Sequence, residues 1–310
     1  MEKRVLVIGE LNVDMIVSGL PAFPSLGREI LASGLHIVLG SSSAICAAGM
    51  ARLGAGVEFL GKVGVDYYGD FVADQLRLLN VGTRHMIRDN VIRTGVTISL
   101  TFPGDRALIT YPGCIPLLRL EDINTTILRR YHHLHVGSYF LQRALQEGLP
   151  KLFRQASGVG LTVSLDTGCD PEGKWGDDDL LELLKLVDIF IPNEDEARAI
   201  ARVDDTEAAL QELMKRGPLV VVKRGPAGAM SMQDGQVVHS PGFQVDVKDT
   251  TGAGDSFNAG FIHAYVVQGL PLEGSLRFAN ACGGLSTTGF GGTAAQPTLE
   301  QVLAFLKKAG

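Results

Sequence analysis

The sequence predicts an α/β fold with a mainly parallel central sheet, and three observations predict it. Apolar, β-branched runs alternate along the chain with segments of helical periodicity, which is the pattern of βαβ units. The first run, residues 5–8, is continuously apolar, as in strands covered by helices on both faces. Hydrophobic residues make up 45% of the 310 residues, so the chain can bury a large core.

The elements follow one another in the order expected for such a sheet. The strand 5–8 stops at Gly9, and the Ala-rich segment 41–53 then has helical spacing. The next elements are a strand at 57–60, a helix at 71–79, a strand at 161–166, a helix at 180–186, and strands at 189–191 and 219–222. A last buried helix begins near Gly252 and ends at Gly269.

Two segments, residues 15–39 and 95–111, interrupt this alternation. In the second, the runs 96–101 and 107–110 flank Pro103, Gly104 and Asp105, which predicts a β-hairpin turn. We interpret both segments as a small β-rich lid inserted into a single domain that spans residues 1–310. No internal repeat, low-complexity tract or polar linker indicates a second domain.

Charge and cysteine content exclude several classes of function. Lysine plus arginine (28) against aspartate plus glutamate (34) gives a net charge of −6, without a basic run, which disfavours nucleic-acid and anionic-membrane partners. The N-terminal apolar run is too short for a signal peptide, and no 18 apolar residues follow one another, so we expect a cytoplasmic protein. The four cysteines lack metal-ligand or disulfide spacing.

The most informative segment lies at the start of the last predicted helix. Gly252, Ala253 and Gly254 let the backbone approach a ligand, and the unpaired amide groups of a first helical turn attract an anion such as a phosphate in transfer. Asp255 repels an anion, yet it suits a group that accepts a proton from an attacking hydroxyl. For the motif alone, the alternative is a tight turn with Asp255 complementing the helix dipole.

In its context, the segment 249–257 resembles the C-terminal signature of the ribokinase-like (PfkB) family of carbohydrate kinases. Further landmarks of that family occur in the expected order, at 9–14, 51–54, 61–66, 192–197, 223–229 and 279–281. The resemblance covers essentially the whole chain. It implies the ribokinase-like three-layer fold, with a parallel sheet between helices and a small β lid.

The resemblance also implies an activity, namely ATP-dependent transfer of the γ-phosphoryl group to a primary hydroxyl of a monosaccharide or sugar derivative. Asp255 is then the catalytic base, and Gly252, Ala253 and Gly254 form the anion hole. Closure of the lid would exclude water. The alternatives are a nucleoside kinase of the same family and, in another class, a sugar- and nucleotide-binding sensor without turnover. Family resemblance further implies a homodimer.

Magnesium and ATP are implied by other family motifs. Asn193 and Glu196 match the Asn-x-x-Glu motif that is associated with Mg²⁺ through water, although alone they would be read as a helix start with an acidic first turn. Gly225 and Gly228 resemble the nucleotide loop, where the alternative is an ordinary β-turn. Lys223 is assigned to the phosphates and Asn280 to the adenine pocket.

A monovalent cation, K⁺, is implied by a weaker resemblance. The segment 286–292, together with Asp249 and Thr251, resembles the region where some members of the family bind such an ion through backbone carbonyls. Backbone ligands leave little trace in a sequence.

The acceptor pocket is where the sequence departs from the family. Asn12 and Asp14 follow the first strand and match sugar contacts, although they also suit a polar turn. The usual Gly-Gly pair is Gly40 and Ser41 here, and Ile45 replaces the usual Asn, which favours an acceptor with a less polar face than ribose. Serines 41–43 offer hydroxyl contacts or a helix cap. Other candidate contacts are Arg93, Thr97, Ser99, Arg106, Gly137 and Ser138.

Overall fold

The computed structural model describes residues 3–102, 105–176 and 178–309. The strands are β1 (Arg4–Ile8), β2 (Asn12–Ser18), β3 (Gly34–Leu39), β4 (Gly56–Leu60), β5 (Lys62–Gly64), β6 (Ile87–Asp89), β7 (Gly95–Phe102), β8 (Asp105–Tyr111), β9 (His133–Val136), β10 (Thr162–Leu165), β11 (Ile189–Phe190), β12 (Leu219–Val220), β13 (Val222–Lys223), β14 (Ala229–Gln233) and β15 (Gln236–Ser240). The α-helices are α1 (Ser42–Arg52), α2 (Tyr67–Leu78), α3 (Arg143–Gln146), α4 (Leu149–Gly158), α5 (Asp178–Leu184), α6 (Glu194–Ala201), α7 (Thr206–Met214), α8 (Ala253–Phe261), α9 (Leu272–Ser286) and α10 (Leu299–Lys308).

The central sheet is parallel, as predicted. Within the described ranges its strand order is β12-β11-β10-β9-β1-β4, and every neighbouring pair in it runs parallel. Small separate sheets are formed by β13-β14-β15 and by β5-β6. The α/β fold predicted from the alternating pattern is therefore confirmed.

Strand β1 shows why this sheet needs helices on both faces. Successive side chains point to opposite faces of a strand, and in β1 both sets are fully buried. Leu6 and Ile8 belong to the core under α4, α5 and α7, whereas Val5 and Val7 belong to the core under α1, α8 and α9. The continuous apolar run thus reflects a strand between two helical layers.

Several helices have bounds other than those expected, and the differences are largest at α2 and at the helix after Gly252. Helix α2 begins at Tyr67, four residues early, because the Asp66 side chain accepts a hydrogen bond from the Gly69 amide (2.8 Å) and caps the helix. The helix that follows Gly252 is α-helical only to Phe261, and residues 262–268 continue it as a π-helix up to Gly269. Among the described residues, no helix is long and apolar enough to cross a membrane.

The two interrupting segments contribute to one sheet, which we call the lid, with strand order β3-β2-β7-β8. Strands β7 and β8 pair antiparallel, which confirms the predicted hairpin, and β2 pairs parallel with β7. Pro103 and Gly104 of the predicted turn lie outside the described residues, and the backbone of Asp105 begins β8. Strand β2 starts at Asn12, so the lid begins directly after the loop that leaves β1.

Candidate active site

Polar residues that follow the parallel strands gather at one edge of the central sheet. Glu10 follows β1, Ser138 follows β9, Asp166 follows β10 and Asn193 follows β11. Because parallel strands end at the same edge, these side chains share the crevice where open α/β sheets bind ligands. We call this the core edge of the cleft.

Helix α8 begins at Gly252, where both backbone and space require glycine. Its φ is +73°, and a Cβ atom there would lie 2.8 Å from Cα of Gly292 and 3.0 Å from the Ile45 side chain. The amide of Ala253 donates to the Thr250 carbonyl (3.2 Å). The other first-turn amides have no acceptor within the helix, so together with the helix dipole they make a site for an anion.

Gly254, in contrast, has open space around it. The atom nearest to a Cβ built there is Nζ of Lys223, at 3.8 Å, and the backbone is not in the left-handed region. Neither sterics nor backbone conformation requires glycine here. Because Gly254 has no side chain, a ligand can reach the helix start, and the ammonium group of Lys223 lies beside it.

Asp255 is half-buried in the same turn. Burial raises the pKa of its carboxyl to about 7, and the negative charges of Asp166 and Glu10 add to this, against the opposing charge of Lys223 and a contact with the Ser42 hydroxyl. A carboxyl with a pKa near neutrality is suited to accept a proton from an alcohol at physiological pH.

Lys223 forms a nearly buried ion pair with Asp166, with 2.6 Å between Nζ and Oδ2. Nδ2 of Asn258, on α8, donates to the same oxygen (2.5 Å). Burial disfavours the charge on Asp166, but Lys223 and Asn258 outweigh it and lower the pKa of this carboxyl. The pair therefore holds a positive charge next to Gly254. Because Asp166 is nearly buried, its negative charge must stay balanced by that of Lys223.

Asn193 and Glu196 cap helix α6 reciprocally. Oδ1 of Asn193 accepts from the Glu196 amide, and Oε2 of Glu196 accepts from the Asn193 amide, both at 2.8 Å. Burial raises the pKa of Glu196 to about 7, despite the nearby charge of Lys223. Asn193 and Glu196 thus form a capped helix start, and the same two residues match the family motif that is associated with Mg²⁺.

These residues fit a hydrated Mg²⁺ rather than one held in a protein cage. No cluster of three or more His, Cys, Asp or Glu side chains suited to a metal occurs in the described ranges. The capping bonds use Oε2 of Glu196 and leave its Oε1 to accept from a metal-bound water. The buried Oδ1 of Asn258 has no hydrogen-bond partner among the residues described. Mg²⁺ usually keeps several waters and binds through phosphates and one or two carboxylates, which matches these acceptors.

Of the predicted nucleotide residues, Gly225 and Gly228 lie on one turn and Asn280 lies on helix α9. Residues 225–227 form a short 3₁₀ turn, and Gly228 (φ +91°) packs where a Cβ atom would lie 2.1 Å from the Ser240 carbonyl oxygen. Nδ2 of Asn280 donates to the Ser240 carbonyl and hydroxyl (2.9 and 3.0 Å) and to the carbonyl of Pro241. Asn280 therefore holds residues 240–241, against which Gly228 packs, and its role in an adenine pocket stays a prediction.

Asp249 joins the two segments assigned to a monovalent cation. Its carboxylate accepts hydrogen bonds from the Thr251 amide and hydroxyl (2.9 and 2.7 Å) and from the Gly291 amide (2.8 Å). Burial opposes the charge, yet these bonds prevail and lower the pKa of Asp249. The segments are thus adjacent, while K⁺ itself stays a prediction.

On the lid side, Asn12 and Asp14 lie next to each other over Gly40. Nδ2 of Asn12 donates to Oδ1 of Asp14 (2.7 Å) and to Oγ1 of Thr97 (3.2 Å), and Thr97 contacts Thr110 (3.0 Å). A Cβ atom on Gly40 would lie 2.3 Å from Oδ1 of Asp14, so only glycine fits beneath the pair. Burial raises the pKa of Asp14 to about 6.

Ser41 occupies a left-handed backbone conformation, with φ of 74°, at the place where the family has its second glycine. Its hydroxyl donates to the Glu10 carbonyl (2.5 Å) and accepts from the Ala44 amide (3.0 Å), which confirms the helix-cap alternative. These bonds stabilise a conformation that costs about 1–3 kcal/mol outside glycine.

Glu10 was not among the predicted site residues, yet it anchors the start of α1. Its buried carboxylate accepts from the Ser43 amide (3.1 Å) and from the hydroxyls of Ser41 and Ser43. Burial raises the pKa of Glu10, against these bonds and one to Ser138. The Ser43 side chain fills the space left by Gly9 and Gly137, since a Cβ on either would lie within 2.3 Å of its Oγ.

Ile45 packs beneath the start of α8. Its side chain is only 4% exposed and lies against Gly252 and Gly292. Its carbonyl oxygen accepts from Gln296 (2.8 Å). The side chain thus supports the helix start, and the expectation of a less polar acceptor stays a prediction.

Asp166 was also missed, although its sequence position offered a signal. It is the polar residue that ends an apolar strand, as Asn12 and Asp14 follow the first strand. Glu10 offered the same signal after β1. The side chains that pair with them lie 31 to 92 positions away along the chain, which no local pattern connects.

Comparison with known proteins identifies relatives over the whole chain. A profile described as the pfkB family of carbohydrate kinases matches residues 2–299. An ATP-dependent ribose-1-phosphate kinase of Halopiger xanaduensis is 32% identical over 98% of both chains. A fructokinase of Klebsiella pneumoniae is 30% identical over 96% of this chain and 97% of that one.

A solved structure extends the comparison to three dimensions. The crystal structure of a putative ribokinase II from E. coli, in complex with ATP and Mg²⁺, superimposes with a TM-score of 0.88. It is 25% identical and covers 99% of each chain. The three-layer arrangement with a lid is thus shared with a protein whose structure contains ATP.

Proposed function

This chain belongs to the pfkB family of carbohydrate kinases, and we propose that it transfers the γ-phosphoryl group of ATP to a primary hydroxyl of a monosaccharide or sugar derivative. It is an ATP-dependent sugar kinase by family. The observation that carries the proposed reaction is Asp255, with a pKa raised to about 7, in the first turn of α8.

In this mechanism, one helix start has two functions. Asp255 accepts the proton of the acceptor hydroxyl as the oxygen attacks phosphorus, and the departing oxygen keeps the electron pair of the broken bond. Amides of the first turn of α8 stabilise the negative charge on the phosphoryl oxygens. Lys223, held by Asp166, adds a positive charge beside Gly254. When bound, Mg²⁺ neutralises phosphate charge and orients the phosphates, and Glu196 and Asn193 would hold it through water.

Asn12 and Asp14 are proposed to bind the acceptor. An amide and a carboxylate side by side pair with neighbouring hydroxyls of a sugar. The curated relatives act on ribose 1-phosphate and fructose by name, so the proposal is limited to a sugar acceptor. A nucleoside acceptor stays the alternative within the family, and the acceptor panel described below separates the two.

A homodimer is proposed through the outer face of the lid. Cross-strand register aligns Ile37, Met15, Ile98 and Ile109 in one row on this face. Ile37 and Ile109 are 42% and 57% exposed, which favours burial against a second copy. Sedimentation of the wild type and of Ile109→Asp tests this: a dimer that dissociates on substitution supports the proposal, and a monomeric wild type refutes it. The cytoplasmic location stays a prediction.

An acceptor panel tests the proposed reaction. We expect ADP release from MgATP that depends on one or more free sugars or sugar phosphates and that exceeds release with nucleosides. Running the panel with and without K⁺ tests the cation prediction. Binding of ATP and sugar without turnover on any acceptor would favour the sensor alternative.

A further inference from the structure

Helix α1 starts on the acceptor side of the cleft, and helix α8 carries the proposed base. Helix α1 begins just after Gly40, which lies beneath the acceptor pair of Asn12 and Asp14. Helix α8 carries Asp255 in its first turn. The distance between an acceptor hydroxyl and this carboxyl therefore depends on how the two helices are held against each other.

The two helices come closest where α1 has a glycine. A Cβ atom on Gly49 would lie 2.7 Å from Cβ of Ala259, on α8, and 2.9 Å from Nε2 of Gln296. Gln296 belongs to neither helix, since it lies in the loop between α9 and α10. Its side chain is buried, with 1% exposed. A polar side chain from a third segment thus sits where α1 and α8 cross.

Gln296 donates a hydrogen bond to each of the two helices. Its Nε2 donates to the Ile45 carbonyl of α1 (2.8 Å) and to the Ser256 hydroxyl of α8 (3.0 Å). Ser256 directly follows Asp255, and its amide donates to the Gly252 carbonyl (2.8 Å), which closes the first turn of α8. The side chain therefore connects α1 to the turn that carries the base.

The amide group of Gln296 is poorly suited to packing alone. A carbonyl oxygen only accepts hydrogen bonds, so the nitrogen of the amide faces Ile45. Its Oε1 is buried and has no hydrogen-bond partner among the residues described. An unpaired buried oxygen costs free energy that an apolar side chain of similar size avoids. What glutamine adds at this position is the pair of bonds to the two helices.

The start of α1 faces Asp255 directly. The Ser42 hydroxyl contacts this carboxyl and lowers its pKa. The titratable groups that face Asp255 from the elements around it are Glu10 after β1, Asp166 after β10, Lys223 on β13 and the Cys46 thiol on α1. Glu10, Asp166 and Lys223 are carried by strands or strand ends. A shift of α1 away from α8 would therefore weaken the Ser42 contact first.

We propose that Gln296 is a positioning residue for phosphoryl transfer, whose amide group sets the separation between α1, beside the acceptor, and α8, with its base Asp255. This inference rests on the proposed function. Gln296 gains or loses no proton or bond, and it acts only through the geometry of the acceptor hydroxyl and Asp255. A misplacement of about 1 Å between reacting groups lowers a rate by about 10²-fold, so a small shift of the helices is sufficient.

The test uses Gln296→Met, Ser256→Ala and the double variant in the full chain, with the exposed Gln211→Met on α7 as a control. Methionine is similar to glutamine in length and lacks both donors. In the double variant apolar groups replace both partners of the Ser256 bond, so its stability in urea denaturation should stay near that of the wild type. The double variant also carries the comparison if Gln296→Met alone does not fold.

We expect Gln296→Met to lower kcat about 10-fold or more, with a smaller change in the KM for MgATP. The pH below which kcat/KM falls should move upward, because Asp255 loses its contact with Ser42. Ser256→Ala should show part of the loss, and the double variant should be no worse than Gln296→Met, since both substitutions remove the same bond. Gln211→Met should match the wild type in all measurements.

The outcomes separate positioning from packing. A Gln296→Met variant that is less stable, but has wild-type kcat per folded molecule and an unmoved pH profile, overturns the inference, because Gln296 would then only support the fold. A double variant with wild-type kcat also overturns it, since apolar packing would then place the helices equally well. A wild type inactive on every acceptor overturns the proposed function and this inference with it.

Discussion

The core edge and the lid face the same cleft with different chemistry. Around α8, the carboxyls of Asp166, Asp255 and Glu196 interact with the ammonium group of Lys223, and the pKa values of all four groups are displaced. The lid presents the Asn12 amide, the Asp14 carboxyl and the hydroxyls of Thr97 and Thr110 to the same space. A cluster of charges with displaced pKa values indicates where the reaction occurs, whereas hydrogen-bonding groups around one carboxyl indicate where a substrate is recognised.

This difference leads to different sensitivities. Changes at the core edge should alter kcat, pH dependence and folding stability together, because the charges there compensate one another. Changes at the side chains of the lid that bind the acceptor should alter mainly the KM for the acceptor. Substitutions at the core edge and in the lid can therefore test whether catalysis and acceptor binding are separated in this way.

Apart from substitution of Asp255 itself, the largest effect is expected from Gly254→Ala. A methyl group fits the protein itself, since its nearest neighbour is 3.8 Å away, but it obstructs a phosphate that approaches the helix start. We expect kcat to fall about 10²-fold, while alanine in a helix raises the free energy of unfolding by about 0.5–1 kcal/mol. Steady-state kinetics and urea denaturation measure the two quantities.

A matched control for Gly254→Ala exists on α9. Gly274 lies in the first turn of that helix with nothing near a Cβ position, so Gly274→Ala should give the same stabilisation with unchanged kcat. Unchanged kcat in Gly254→Ala itself would show that the phosphoryl group is held elsewhere.

Lys223→Met should produce the next largest effect. Removing one partner of a nearly buried ion pair leaves Asp166 uncompensated and costs about 3 kcal/mol in the free energy of unfolding. In the wild type, kcat/KM should fall as the pH drops below about 7, since protonated Asp255 cannot accept a proton. Without Lys223, whose charge lowers the pKa of Asp255, this acidic limb should move to higher pH.

The exposed Lys248→Met serves as the control for Lys223→Met and should leave both measurements unchanged. An acidic limb that stays in place in Lys223→Met would mean that a group other than Asp255 titrates in the profile.

Glu10→Ala should affect stability more than chemistry. It leaves the Ser43 amide without its buried acceptor and removes support from the left-handed Ser41, so we expect a loss of about 2 kcal/mol in urea denaturation. Glu10→Gln, which keeps an acceptor oxygen, should lose less. Glu29→Ala, at an exposed position, should lose nothing measurable. Equal losses for Glu10→Ala and Glu10→Gln would point to the charge as the stabilising feature.

The smallest effect is expected in the lid, from Thr97→Val. The variant removes the acceptor for one Asn12 hydrogen bond, and we expect the KM for the sugar to rise a few-fold, roughly the equivalent of one neutral hydrogen bond, with kcat unchanged. A loss of kcat comparable to that of Gly254→Ala would contradict the assignment of catalysis to the core edge and of acceptor binding to the lid.

The parts of the site that the sequence predicts are those encoded in a contiguous motif. Gly252 starts α8 in the left-handed conformation and Asp255 follows in its first turn, as residues 249–257 indicate. The parallel sheet also follows from local signals, because a strand buried on both faces must be apolar throughout, as in β1.

The remainder depends on contacts between distant segments. Ile45 is separated from Gly292 by most of the chain, so its packing beneath α8 leaves no local pattern. The same holds for Glu10 with Ser43, and for Lys223 with Asp166. Such pairs arise because the topology brings strand ends together, and a single sequence does not record which ends meet.

Asp255→Asn also makes a prediction for folding. An acid whose folded-state pKa is raised from 3.8 to about 7 loses stability as the pH rises between those values, because the unfolded chain releases its proton first. The variant cannot ionise, so its melting temperature should match or exceed that of the wild type more clearly at pH 8 than at pH 4.

The most direct measurement compares turnover and MgATP binding in the wild type, Asp255→Asn and the exposed control Asp246→Asn. If Asp255 takes the acceptor proton, Asp255→Asn loses about 10²–10⁴ in kcat and binds MgATP at least as tightly, because a repelling charge has been removed. Asp246→Asn should behave as the wild type in both assays. Wild-type turnover in Asp255→Asn would contradict the proposed role of this carboxyl and of the helix start that carries it.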